Sequence, residues 1–121
     1  MLSTRKPEIL APAGDRASFL AALAGGADAV YMGLKHFSAR MQADNFSTSE
    51  LSRMVELANA EQRRVYVAFN TLVKTDDLPA AGRLLARLAR DVRPHGIIIQ
   101  DPGLIRLARG AGYGGGLFLS T

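Results

Sequence analysis

The residues best placed to do chemistry are Asp15, Arg40, Asp44, Asn45, Asn70, Lys74, Gln100, Asp101 and Ser120, because each follows a short apolar run that reads as a strand. In parallel α/β architectures, ligands gather at the carboxyl ends of strands, where the βα loops meet. Carboxylates there serve as acids, bases or helix caps, and amides orient polar substrates. Cations such as Arg40 and Lys74 clamp anions or remain solvated. For Asp15, after Gly14, and Asp101, before Pro102, helix capping is the favoured role. Asn70 and Gln100 directly end apolar strands, so they either line a polar site or find partners in the loops. Gly33, Lys35, His36, Thr71 and Thr121 complete the strand-end set, while Phe37 and Phe46 read as packing for the long second loop. Ser120 is a strand-end hydroxyl without a visible base, so catalytic residues are not assigned.

Other chemistries lack their patterns. Gly110, Gly112 and Gly115 spell G-x-G-x-x-G, but between a helix and a strand. Dinucleotide binding needs the reverse order, with a helix N-terminus facing the pyrophosphate. Gly110 is therefore read as a helix stop followed by a flexible turn. The sequence contains no Walker motif, no H-E-x-x-H and no G-x-S-x-G. Its two histidines are far apart, and His95 precedes a strand, on the face opposite the usual site. No metal site is expected within the chain. With no cysteine, it offers neither a disulfide nor a thiolate ligand for an iron–sulfur cluster.

The elements that must position these residues alternate. Apolar segments Glu8–Ala11, Ala29–Met32, Val65–Phe69, Gly96–Ile99 and Leu117–Leu119 are separated by helical patterns, which defines βαβ units and a parallel sheet. The third and fourth are apolar at every position, as expected of strands covered on both faces. Ser47 and Glu50 have capping-box spacing, and Phe46 with Leu51 the spacing of a hydrophobic staple, which predicts a helix over Thr48–Ala60. Leu78, Ala81, Leu85, Leu88 and Val92 form an apolar stripe on the next helix, opposite Arg83, Arg87 and Arg90.

Right-handed crossovers of these units generate a curved sheet. The fold class is therefore α/β, a parallel (β/α) barrel-like architecture with about four βα units plus a fifth strand: a partial TIM barrel. A closed eight-stranded barrel takes roughly 250 residues. At 121 residues, the chain is expected to be a half-barrel segment with open edges at its first and fifth strands. Those edges imply pairing with a missing C-terminal half or with a second copy.

Its 48% hydrophobic and 21% charged content excludes a disordered chain. No run approaches the roughly 18 apolar residues of a membrane span, and the N-terminus lacks the apolar centre of a signal peptide. A cytoplasmic location without membrane association is expected. The net charge of +4 favours anionic partners, RNA among them, although the arginine stripe has the form of an ordinary solvated helix face.

These motifs together resemble the N-terminal part of peptidase family U32, the collagenase-like proteases. The likeness rests on Pro7 through Asp15, Gly26 through Gly33, Phe37-Ser38, Arg40, Ala43 through Ser47, Asn70-Thr71-Leu72, Gln100 through Gly103 and Leu119-Ser120-Thr121. It implies a larger barrel-like catalytic domain whose cysteine signature lies downstream. It also implies one of two enzyme classes: a peptidase acting on peptides, or an iron–sulfur-dependent hydroxylase of tRNA, rRNA or a ubiquinone precursor. The chain itself is then expected to be inactive alone and to supply one side of the pocket. A noncatalytic self-associating or RNA-binding module is the alternative. The Gly114-Gly115-Gly116 run departs from the family pattern.

Overall fold

The structure, a computed structural model, describes residues 8–34, 48–69, 76 and 78–119. Along the chain run β1 (Leu10–Pro12), α1 (Arg16–Ala24), β2 (Ala29–Leu34), α2 (Thr48–Ala60), β3 (Arg64–Phe69), α3 (Leu78–Arg87), β4 (Gly96–Ile99), α4 (Gly103–Gly110) and β5 (Gly116–Leu119). The strands pair in parallel and in sequence order, β1 through β5, and the sheet does not close. A partial α/β barrel is therefore the observed architecture.

Strand alternation explains the packing. Val30 and Met32 of β2, Val65 and Val67 of β3, and Ile97 and Ile99 of β4 enter one buried core with Phe19, Leu23, Leu51, Met54, Leu85 and Leu104 from the helices. Burying each of the larger of these side chains contributes roughly 1.5–3 kcal/mol. The intervening residues occupy the concave face. There Pro12, Tyr31, Tyr66, Gly96 and Gly116 align in one row, with Ala68, Ile98 and Phe118 in the next. The helices thus cover one sheet face, as in a barrel wall rather than a doubly wound sheet. Tyr66 and Ile98 are only half-buried.

Within the concave rows the absence of side chains at Gly96 and Gly116 admits the Phe118 ring, which meets Tyr66 edge to face at 5.7 Å. A Cβ at position 96 would lie 2.7 Å from Phe118 Cε2 and 2.8 Å from Tyr66 Cδ1.

The helices follow their local signals. α2 spans the predicted Thr48–Ala60 and buries Leu51, Met54, Val55 and Ala58. Ser47 and Phe46, its expected cap and staple, lie outside the described residues. α3 buries Ala81 and Leu85, and a π-helical turn over Leu88–Val92 continues the stripe with Leu88 and Val92. Leu78 instead stands 37% exposed at the start of the helix, beyond the reach of the sheet. Arg93, in the left-handed region at φ 54°, ends that turn and returns its N–H to Leu88 O. The first strand also begins later than expected, at Leu10, because Glu8 turns away to Arg64 and Tyr66.

Candidate functional site

At the carboxyl end of β1, Asp15 caps α1. Its Oδ1 accepts the Ser18 backbone N–H at 2.7 Å, and that hydrogen bond holds the carboxyl below the usual aspartate range. Beyond β4, Asp101 Oδ1 accepts the Gly103 N–H at 3.0 Å at the start of α4. Asp15 thus has the N-cap role its sequence context favours, whereas Asp101 stands one residue before the N-cap, Pro102, and its carboxylate closes a local turn onto Gly103. Gln100 lies beside Asp101, exposed and without a hydrogen bond among the described residues.

The sheet order sets the spacing of these groups. β1 and β4 are separated by β2 and β3, so Asp15 and the Gln100–Asp101 pair stand roughly 14 Å apart along the sheet. β2 and β3 lie between them in sheet order. Arg40, Asp44 and Asn45 follow β2 in the sequence, Asn70 and Lys74 follow β3, and Ser120 follows β5; all lie outside the described residues, as do His36, Phe37 and Phe46. What the described strand ends present is two carboxylates that accept backbone N–H groups and one exposed amide.

A second polar cluster forms at the opposite, N-terminal end of the strands. Arg64 Nη1 meets Glu8 Oε2 at 2.9 Å, and Tyr66 donates its hydroxyl proton to Glu8 Oε1 at 3.3 Å. Asp28 Oδ2 accepts the Ile9 N–H at 2.8 Å, while Arg63 donates to the Ala27 carbonyl. His95 Nδ1 accepts the Val65 N–H at 2.9 Å, and its Nε2 lies 2.7 Å from Asn59 Oδ1. A ring that accepts at Nδ1 must carry its proton on Nε2, so this histidine is neutral. Burial first, and then the Arg64 charge, keep its pKa below the ordinary value.

Sequence reading did not single out Arg64, Tyr66 or Asn59. Their one visible signal was position, with Arg64 opening a strand and Tyr66 two residues on, facing the same side. At this end of a barrel such groups hold strands in register rather than carry out reactions.

The G-x-G-x-x-G run is a turn. α4 ends at Gly110, Gly112 takes φ +93°, and Arg109 Nη1 donates to the carbonyls of Tyr113 and Gly115 at 2.8 and 2.9 Å. The positive φ falls on Gly112 rather than on Gly110. Tyr113 donates its hydroxyl proton to Pro94 O at 3.0 Å, and burial pushes its pKa up to about 12. A Cβ at position 115 would collide with the Tyr113 ring. The turn joins the end of α4 to β5 and no helix begins from it, the reverse of the order dinucleotide binding needs.

Among the described residues, no three His, Asp or Glu side chains converge as metal ligands, and no helix is long and apolar enough to cross a membrane.

Parallel strands and outer helices define a TIM-barrel-like fold, present as an open portion. The same architecture occurs in the solved U32 peptidase Mk0906, with a TM-score of 0.68 and 18% identity over 99% of this chain and 51% of that one. The chain belongs to peptidase family U32, whose family pattern matches residues 14–121.

Its relatives carry more than one activity in their names. It is 36% identical, over 88% of its length, to tRNA hydroxylation protein P1 of Bacillus subtilis, covering 25% of that protein. Identity is 35% to the 23S rRNA 5-hydroxycytidine synthase of Escherichia coli, over 88% of this chain and 16% of that one. It is 31% to a collagenase of Porphyromonas gingivalis, over 87% of this chain and 25% of the relative. The chain spans about a quarter or less of the length of these curated relatives.

Proposed function

We propose that this chain is the N-terminal, substrate-orienting part of a U32 enzyme that hydroxylates RNA. The observation that carries the reading is its similarity to several proteins named for tRNA or rRNA hydroxylation, at 34–36% identity in three different bacteria. Gln100, Asp15 and Asp101, with Arg40, Asp44, Asn45, Asn70, Lys74 and Ser120, which follow the strands in the sequence, supply one side of the pocket in this reading. Amides suit the hydrogen-bonding edge of a base, and cations suit phosphate.

Hydroxylation inserts oxygen into a C–H bond and needs a redox group. An iron–sulfur cluster would need soft thiolate ligands, and this chain has no cysteine to give. Its residues therefore do not fit such a group, and their part is binding and orientation. The chain alone is inactive in this reading. The open edges of β1 and β5 pair with the remainder of a barrel in the complete, cytoplasmic enzyme, or with a second copy.

Peptide hydrolysis is the second reading, favoured by the collagenase relative and by an uncharacterised protease of Methanocaldococcus jannaschii at 35% identity. It requires an activated nucleophile or a metal-bound water.

Deleting the coding sequence and analysing digested cellular RNA by mass spectrometry distinguishes the two. The expected outcome is loss of a nucleoside heavier than its parent by one oxygen atom, restored by complementation. Unchanged RNA, together with peptide hydrolysis by the purified protein that Ser120→Ala abolishes, would establish the peptidase instead.

A further inference from the structure

The charge of the molecule is concentrated in one place. Residues 78–110 hold Arg83, Arg87, Arg90, Arg93, Arg106 and Arg109 against only Asp91 and Asp101. That excess equals the formal +4 of the whole chain, so the remaining residues are balanced. α3 and α4 pack side by side on the outer layer. Among their exposed residues are Arg83 and Arg87 on α3 and Arg106 on α4, none of which has a carboxylate partner among the described residues. Arg90 pairs with Asp91 at 3.2 Å, and Arg109 is anchored to the carbonyls of the α4–β5 turn.

The neighbouring helix shows what an ordinary solvated face looks like here. The exposed charges of α2 alternate in sign, Glu50, Arg53 and Glu56. On α3, Arg83 and Arg87 stand four residues apart, a spacing at which like charges destabilise a helix. Every cation in this stretch is arginine, whose planar guanidinium matches phosphate oxygens two at a time.

We propose that the outward faces of α3 and α4 form a docking surface for the phosphate backbone of RNA, with Arg83, Arg87 and Arg106 as its contacts. The inference rests on the RNA-hydroxylase reading and adds where the substrate is gripped. The surface lies on the outer helices, away from the strand-end pocket. Its contacts therefore set the register of the RNA, and sequence is read elsewhere.

The test is a fluorescence-anisotropy titration of the full chain with an unmodified, labelled tRNA transcript over a range of salt concentrations. Wild type is compared with R87Q/R106Q and with R16Q/R53Q, which removes equal charge from α1 and α2. Circular dichroism and thermal melts verify that all three are folded. The expected result is that R87Q/R106Q binds more weakly, across unrelated RNA sequences, with a salt slope shallower by about two. R16Q/R53Q keeps the wild-type slope. Identical behaviour of the two variants, or no binding by wild type, overturns the surface. If RNA hydroxylation nonetheless disappears when the gene is deleted, the enzyme reading stands and only the docking surface is wrong. If cellular RNA is also unchanged, both fall.

Discussion

His95 shows how a residue outside the reaction face gains a defined state. Its imidazole ties the end of α2 to β3 through Asn59 and the Val65 N–H, and the bond accepted at Nδ1 requires the neutral ring. In the unfolded chain the ring takes up a proton near 6.5, whereas in the folded chain burial and Arg64 delay uptake to a lower pH. Between those values the unfolded state binds more protons, so stability rises with pH. It is fully present above about 6.5 and is lost as pH falls through the folded pKa. Thermal melts from pH 8 down to 5 should therefore show a midpoint that declines below about pH 6.5. His95→Ala should remove this dependence and cost about 1–3 kcal/mol at neutral pH, because it strands the Val65 N–H. Tyr113 adds the opposite limb. Its pKa of about 12 lies above the ordinary 10.0, so its contribution is present below pH 10 and lost on rising through 12. The cap at Asp15 is legible in sequence because its partner lies three residues away, as is the short turn that Asp101 closes onto Gly103, although the N-cap there is Pro102. The partners of His95 lie 30 and 36 residues away, and no local pattern announces them.

Among the elements, the bounds of α2 and the apolar runs of β3 and β4 are legible because the patterns that mark them are local. The α3 stripe was right in period, yet periodicity does not say where a helix leaves the sheet. Leu85→Ala, at a fully buried site, should cost about 2–5 kcal/mol in denaturant unfolding. Leu78→Ala should stay within about 0.5 kcal/mol, since Leu78 is outside the core. Equal losses would restore the uninterrupted stripe. The concave face was not legible, because all-apolar strands do not reveal which side a helix covers. Its tight point is Gly96, where Ala would press on Phe118 and Tyr66. Gly96→Ala should destabilise by about 1–3 kcal/mol in the same assay, whereas Gly82→Ala, with open space around its Cβ position and helix propensity in its favour, should not. Of the candidate site, Asp15, Gln100 and Asp101 stand after β1 and β4, as the apolar runs before them imply, and the other candidates lie outside the described residues.

As a whole, the molecule is a curved wall with two unfinished seams. Ile9 and Leu10 at the first strand are 59% and 45% exposed, and Phe118 and Leu119 on the last are 50% and 58% exposed. Half of the exposed large apolar side chains among the described residues therefore lie at the seams, where unpaired backbone groups also invite another strand. The interior of the sheet and its helix-covered face have no such exposure. An open barrel wall of this kind should not persist alone, and multi-angle light scattering of the purified chain across a concentration series tests that most directly. The account predicts species heavier than the 13.0 kDa monomer, growing with concentration and reduced by Leu119→Lys. A monodisperse 13.0 kDa species that unfolds cooperatively at every concentration would contradict it.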